Sequence, residues 1–285
     1  MKKNKKKSQL ADIWVQLKRN KLAVAGLIFI VFLVVVALFA DKIAPYSYEA
    51  QDLANTFAPP SREHILGTDR LGRDLLSRLI YGSRESLRLG VSATVLAAAL
   101  GCTMGTLAGY FGGIVDDITM RFIDIYQSIP ALLLALSISA ALGVGTNSAI
   151  LAIGLVSAGS FARLLRASIM TVRDQEYVEA GRAIGAGGLR VILKYILPNA
   201  VAPVIVQFSV KLGVCIQFGS TMSFLGMGTQ APLSEWGAML ADGRAFMRDN
   251  PMLVIYPGIC IMLAVLSFNL LGDGLRDAMD PRLRG

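Results

Sequence analysis

Polar residues inside apolar segments are the first candidates for chemistry, and Lys211 is the most distinctive of them. It lies within the apolar segment 199–225, together with Gln207 and Gln217. A charge at bilayer depth is costly and usually faces protein or water, so such a lysine is by default a functional candidate. Its ammonium group could line a translocation path and meet a carboxylate on a solute, or it could pair with an acid on a neighbouring helix. The sequence leaves both interpretations open.

Other kinds of chemistry are disfavoured by what the sequence lacks. His64 is the single histidine, which excludes a histidine-based metal site and a Ser-His triad. Cys102, Cys215 and Cys260 lie far apart in apolar segments, as small buried side chains do. The chain has no Gly-x4-Gly-Lys-Ser/Thr motif for ATP phosphates, and no paired carboxylates or Ser/Lys dyad within plausible reach. We therefore predict a non-catalytic chain that binds no metal and no cofactor.

The composition shows which kind of element must position these residues. Of the 285 residues, 54% are hydrophobic and 17% are charged, whereas soluble domains carry about 25% charged residues. A core of this size cannot hide so much apolar surface, so the composition predicts a polytopic membrane protein. The net charge of +8 is typical of cytoplasmic loops here and does not indicate nucleic-acid binding, because most of the chain is apolar.

Six apolar segments are long enough to cross a bilayer as helices. The first, Leu22–Ala40, contains no charged residue and is longer than the apolar part of a signal peptide, so we predict an uncleaved span. The predicted fold class is an all-α polytopic membrane protein with six transmembrane helices. The other five segments are approximately 88–112, 119–143, 147–171, 199–225 and 252–272.

Lys and Arg are distributed unevenly between the two sides that six spans define. The side that holds both termini carries 17 of them, and the opposite side carries nine. Because cytoplasmic loops retain positive charge, this bias predicts that both termini are cytoplasmic. The predicted ranges are 1–21 for a basic cytoplasmic segment, 22–40 for the first span, 41–87 for an extracytoplasmic segment, 88–275 for a five-helix core and 276–285 for a cytoplasmic tail.

Four glycines of the second span repeat at four-residue spacing, which places them on one face of a helix. Such a face lets another backbone approach closely, as in helix pairs within a bilayer. The pattern predicts tight helix packing and no chemistry. The glycines are Gly101, Gly105, Gly109 and Gly113.

Residues 69–81 show the pattern of an amphipathic helix. A helix lying flat on the outer interface would explain why its arginines oppose the charge bias. It could equally form a wall of an outer vestibule or contact a binding protein, and Trp236, Met239, Leu240 and Met247 allow the same interpretations. The apolar side is Leu71, Leu75, Leu76, Leu79 and Ile80, and the polar side is Arg70, Arg73, Asp74 and Arg78.

The connection 172–198 between the fourth and fifth spans contains two short helical patterns. Acidic residues crowd the first turns of the first helix, where the helix dipole favours them. Glycines from Gly185 onward interrupt it, and Leu189–Ile196 can form a second helix before Pro198. This pattern predicts either a rigid projection that docks into a groove on a soluble partner or an amphipathic loop that lies on lipid headgroups. Its apolar positions are Val178, Ala180, Ala183, Ile184 and Leu189.

The same connection resembles the EAA signature of permease subunits of ABC importers, which is Glu-Ala-Ala, three residues, Gly, nine residues and Ile-x-Leu-Pro. Here Glu179-Ala180-Gly181 is followed after three residues by Gly185, and after nine more by Tyr195-Ile196-Leu197-Pro198. Gly181 and Tyr195 are the departures, and the spacing is kept. In the family this loop is the coupling helix that inserts into the ATPase subunit. The resemblance assigns that role to Glu179, Ala180, Gly181, Ala183, Gly185, Leu189, Leu197 and Pro198.

Further stretches resemble the C-type permease of dipeptide, oligopeptide and nickel transport systems, whose fold is that of type I ABC importers. They begin with His64-Ile-Leu-Gly-Thr-Asp-Arg-Leu-Gly-Arg-Asp74 and continue with Ser223-Phe-Leu-Gly-Met-Gly228 and Glu235-Trp-Gly-Ala-Met239. The last runs from Phe268-Asn-Leu-Leu-Gly-Asp-Gly-Leu-Arg-Asp277 to Asp280-Pro281-Arg282. The likeness covers most of the chain.

This resemblance implies a subunit of an importer in a bacterial or archaeal cytoplasmic membrane. Its implied cargo is di- or oligopeptides, with nickel or a nickel chelate as the alternative. The implied partners are a homologous second permease, two cytoplasmic ABC ATPases that bind ATP and Mg, an extracytoplasmic peptide-binding protein and the lipid bilayer. The competing class is an ATP-independent channel or secondary transporter, which would move solute as the purified chain alone.

Overall fold

The structure is a computed structural model that describes residues 9–279, with side chains from residue 14 onward. The predicted basic residues before position 9 and the tail after position 279, including Asp280-Pro281-Arg282, lie outside the described residues. Residues 9–279 form helices and no β-strand. The main helices are α1 Gln9–Arg19, α2 Lys21–Leu38, α3 Leu75–Phe111, α4 Gly113–Gln127, α5 Ala131–Leu142, α6 Thr146–Val172, α7 Glu176–Ala183, α8 Ala202–Phe224, α9 Trp236–Gly243 and α10 Met252–Met279. The longest connection, 39–74, contains only short helical turns.

Five helices, α2, α3, α6, α8 and α10, are long and apolar enough to cross a membrane. Helices α4 and α5 meet the same criterion only as a pair, and their axes differ by 89° across the break at 128–130. The span predicted over 119–143 is therefore a bent pair of helices rather than one continuous helix. Pro130 explains the bend, because it lacks the N–H that a continuing helix needs and disfavours a helical residue before it.

The glycine face of α3 packs against α6. A Cβ atom placed on Gly101 would lie 2.2 Å from the carbonyl oxygen of Ala158, and one on Gly105 would lie 2.4 Å from that of Ala162. Gly109 is buried on the same face. Only glycine fits where two backbones come this close, so the face holds α3 and α6 together.

Gly113 does not belong to this face, and that part of the packing prediction is wrong. Helix α3 ends at Phe111, and Gly112 and Gly113 have positive φ angles of 65° and 50°. The chain turns there, and Gly113 begins α4 with nothing within 4 Å of a Cβ atom placed on it. The four-residue glycine spacing thus extends two residues beyond the last residue of α3.

Residues 69–81 do not form an interfacial helix. Residues 69–74 form a turn in which Thr68 and Asp74 pair as an isolated bridge, and α3 begins at Leu75 with Asp74 as its N-cap. Arg73 and Arg78 are buried rather than exposed. The amphipathic pattern therefore belongs to a folded turn and to the start of a 37-residue helix.

Helices α1 and α2 pack on α10. A Cβ atom placed on Gly26 of α2 would lie 2.7 Å from the carbonyl oxygen of Ser267. Leu17 of α1 is buried together with Ala23 and Ala278. Part of the segment predicted only as basic and cytoplasmic is therefore a helix fixed to the bundle.

Candidate coupling surface and translocation cavity

Helix α7 begins with acidic residues, and Gly185 follows shortly after its last residue. Glu176 and Glu179 lie in its first turn, where they complement the positive end of the helix dipole. The N–H of Ala186 donates to the carbonyl of Gly181 at 3.1 Å, and the N–H of Gly185 donates to the carbonyl of Arg182 at 2.9 Å. These two bonds are those of a Schellman motif, which ends the helix.

Gly185 supplies the left-handed backbone that this motif needs, with φ of 83°. Space is not the constraint, since nothing lies within 4 Å of a Cβ atom placed there. An L residue in this conformation costs roughly 1–2 kcal/mol. Gly185 therefore sets the direction of the chain between the two halves of the unit.

The second half runs through three successive helical turns, Gly188–Arg190, Val191–Ile196 and Leu197–Ala200. The middle one is a π-helical turn. Because Pro198 has no N–H, the hydrogen-bond ladder into the last turn is incomplete. The side chain of Asn199 donates to the carbonyl of Tyr195 at 2.7 Å and satisfies that acceptor.

One side of this unit anchors it to the bundle. Val178, Val191 and Ile196 are fully buried and join an apolar cluster with residues of α3 and α6. Arg173 Nη1 donates to the carbonyl of Gly109 at 2.9 Å, which ties the beginning of the unit to the end of α3. Val178 therefore serves the fold, and the prediction that it belongs to a docking face is wrong.

The other side presents apolar side chains to the exterior. Ile184 is 79% exposed, Leu189 is 72% exposed and Leu193 is 57% exposed. We call these three residues the coupling surface. Apolar side chains this exposed on a small anchored unit make it a candidate interaction surface. The sequence prediction omitted Leu193, although its position four residues after Leu189 is a signal that could have found it.

The residues of the EAA-like motif divide between the two sides. Gly181 is buried under the ring of Tyr195, whose nearest atoms lie 3.3 Å from a Cβ atom placed on the glycine. Leu197 is partly buried. The exposed members are Glu179, Ala180, Ala183, Gly185, Leu189 and Pro198.

Lys211 of α8 lines a cavity of about 390 Å³. The break at 128–130 lines the same cavity, together with Ser157 and Ser160 of α6. Among the described residues, no carboxylate lies within 4.0 Å of the Lys211 ammonium group. The described part of this chain therefore does not supply the acid partner that the sequence left open.

The two glutamines predicted for the same path lie elsewhere. Gln207 lines a separate cavity of about 500 Å³, together with Asp273 and Arg276 of α10. Gln217 is exposed and lines neither cavity. The three predicted path residues share a helix but not a site.

A cluster of buried charges lies at the end of the bundle opposite the coupling surface. Asp69 Oδ2 accepts hydrogen bonds from Arg73 Nε at 2.7 Å and from Arg78 Nη1 at 2.6 Å. Both arginines also donate to Asp242 Oδ2 near the end of α9, at 3.2 Å and 3.4 Å. We call these four residues the arginine cluster. It ties the 69–74 turn, α3 and α9 together.

Trp236 and Met239, near this cluster, are not surface residues. They are 1% and 3% exposed, and Trp236 Nε1 donates to the carbonyl of Leu79 at 3.1 Å. The prediction that they contact the membrane interface or a binding protein is wrong, because they fill the core instead. Leu240 is partly buried, and Met247 is 56% exposed.

Comparisons with known proteins agree with this architecture. Residues 101–285 match the family described as binding-protein-dependent transport system inner membrane component, and residues 8–60 match the N-terminal transmembrane domain of oligopeptide transport permease C. The chain is 43% identical to a dipeptide transport system permease protein of Alkalihalophilus pseudofirmus, over 96% of this chain and 90% of that protein. It is 43% identical to a di/tripeptide transport system permease protein of Pseudomonas aeruginosa, over 97% and 93%.

A third relative is a glutathione transport system permease protein of Escherichia coli, 40% identical over 96% of this chain and 91% of that protein. The fold is similar to that of the inward-facing MetNI methionine ABC transporter, with a TM-score of 0.58 and 17% identity, over 71% of this chain and 97% of that chain. These findings confirm the predicted family and the type I ABC importer permease fold. The chain belongs to the family of binding-protein-dependent transport system inner membrane components, as a C-type permease subunit of an ABC importer.

Proposed function

We propose that this subunit imports di- or oligopeptides across the cytoplasmic membrane. The similarity to dipeptide and di/tripeptide permeases over nearly the whole chain carries the proposal. The nickel alternative has no comparable support, since it rests only on the motifs that peptide and nickel permeases share. The chain is proposed to do no catalysis itself and to bind no cofactor.

The proposed ATPase contact is the coupling surface of Ile184, Leu189 and Leu193. Its exposed apolar side chains need a partner, and the buried residues behind them fix the unit to α3 and α6. Two cytoplasmic ABC ATPases would bind ATP and Mg. One would dock on this coupling surface, and the other would dock on a homologous second permease. Closure of the ATPase pair would then move this unit together with the helices that hold it, which biases a two-state bundle.

The proposed orientation has both termini and the coupling surface in the cytoplasm. The excess of Lys and Arg on that side supports it. The arginine cluster would then face the extracytoplasmic side, where a peptide-binding protein delivers cargo.

Reconstitution tests this function. In proteoliposomes that hold this chain, its second permease and both ATPases, uptake of a labelled dipeptide should require the external binding protein and internal MgATP. Vesicles that contain this chain alone are the control and should accumulate nothing. Gradient-driven uptake by the chain alone would contradict the proposal and favour a channel or secondary transporter.

A further inference from the structure

We propose that Lys211 and the beginning of α5 form a site for the carboxylate group of the peptide cargo. The site is the cavity of about 390 Å³ beside the break at 128–130. This inference rests on the proposed function, because it names the chemical group by which the pathway holds that cargo.

The depth of Lys211 gives the first reason. At about 1.5 Å per residue, it lies roughly 13 Å along α8 from Ala202. An ammonium group this far into a span is costly unless it meets water or a negative charge. No described carboxylate lies within 4.0 Å of it, so an ion-pair partner at that distance would come from outside the described residues.

The break between α4 and α5 gives the second reason. Irregular backbone at membrane depth occurs where it is buried in protein or lines a water-filled cavity. Residues 128–130 are exposed, and they line the same cavity as Lys211. The cavity is therefore suited to water and a polar solute.

The N-terminus of α5 gives the third reason. This helix has 12 residues and begins at Ala131, which lines the cavity. Its N-cap residue is Pro130, and no side chain caps the first N–H groups. A helix N-terminus with open N–H groups attracts anions, as does the lysine across the cavity.

The remaining lining combines polar and apolar side chains and carries no opposing charge. Among the described residues that line the cavity, Lys211 alone is charged. Ser157, Ser160 and Gln127 add hydroxyl and amide donors, which suit a carboxylate acceptor. The volume lies within the range of about 300–1,000 Å³ that is typical of small-molecule sites. The geometry points to an anionic ligand the size of a small peptide.

The test compares uptake of alanylalanine with uptake of its C-terminal amide by the complete transporter in proteoliposomes. In the wild type, the free acid should be preferred. Lys211→Met should lower the acid-to-amide ratio roughly tenfold, the scale of one charge-assisted hydrogen bond. Lys211→Arg, which keeps the charge, should retain most of the ratio.

Two controls isolate the pathway. The same binding protein serves every variant, so its own preference cancels when the ratios are compared. Lys42→Met removes an exposed lysine outside the cavity and should leave the ratio unchanged. If Lys211→Met does not assemble, Lys211→Gln, which keeps a polar head, replaces it.

The outcomes separate this inference from the proposed function. An assembled Lys211 variant with an unchanged ratio overturns the carboxylate site. Equal loss of both probes, with weaker assembly, also overturns it and points to an acid of the second permease as the partner of Lys211. If the wild type imports neither probe, the proposed dipeptide function fails instead.

Discussion

The two ends of the helical bundle differ in which side chains they expose and which they bury. At the coupling end, Ile184 and Leu189 are exposed, and small apolar contacts hold the unit from behind. At the opposite end, Asp69, Arg73 and Arg78 are buried, and both arginines donate hydrogen bonds to Asp69. One end leaves apolar surface uncovered, whereas the other buries its charges.

This contrast indicates where each end obtains its stability. The arginines of the arginine cluster have their carboxylate partners within the chain, so substitutions there should lower the stability of the fold. The coupling surface makes few contacts within the chain, so substitutions there should act on binding. The following predictions are ordered by their expected effect on the stability of the chain.

The largest effect is expected from Asp69→Asn. The change removes the buried carboxylate that Arg73 and Arg78 share and leaves them only the partly exposed Asp242. Breaking a buried ion pair costs about 3–5 kcal/mol. Thermal unfolding in detergent should show a clearly lower midpoint. Asp41→Asn is the control, because its pair with Arg84 is exposed and should contribute little. Similar midpoints for the two variants would contradict the burial of the cluster.

An intermediate effect is expected from Gly185→Ala. The alanine has space but not the required backbone, so the unit should lose roughly 1–2 kcal/mol. Gly187→Ala is a matched control, because Gly187 has φ of −63° and also has open space around it. Hydrogen exchange of α7 should rise in the first variant only. Equal protection in both would show that the Schellman motif does not hold the unit.

The smallest effect on stability is expected from the double variant Ile184→Ser and Leu189→Ser. Both side chains are exposed, so the unfolding free energy should change by no more than about 0.5 kcal/mol. Affinity for the ATPases should nevertheless fall by about 30-fold or more, as for residues central to an interface. Surface-bound ATPase titrated with the purified variant measures this. Unchanged affinity would remove the coupling surface from the ATPase contact.

The sequence predicted most spans because long apolar runs report membrane crossing directly. It did not predict the bend at 128–130, because the segment was apolar enough as a whole to count as one span, although Pro130 is a local signal for a break. It placed Arg73 and Arg78 on the surface because α9, which carries their second partner Asp242, lies more than 160 residues away in the chain. Long-range pairing of this kind leaves no local pattern.

The candidate functional residues show the same difference between local patterns and long-range contacts. The EAA-like motif is local, and so its spacing located the coupling unit. The cavity of Lys211 is built from α4, α5, α6 and α8, and so the sequence showed only that a lysine lay at an unusual depth. Gln207 and Gln217 were grouped with it by proximity in sequence, although Gln207 lies one helical turn away beside another cavity and Gln217 is rotated by roughly 120° about the helix axis.

Helix α3 has a mechanical consequence that reaches the whole molecule. It runs unbroken from its cap at Asp74, beside the arginine cluster, to Gly109, where Arg173 holds it at the far end. A continuous helix resists stretching, so a push applied at one extremity becomes a tilt rather than a local deformation. The backbone of the pair α4 and α5 is instead interrupted at 128–130, beside Lys211.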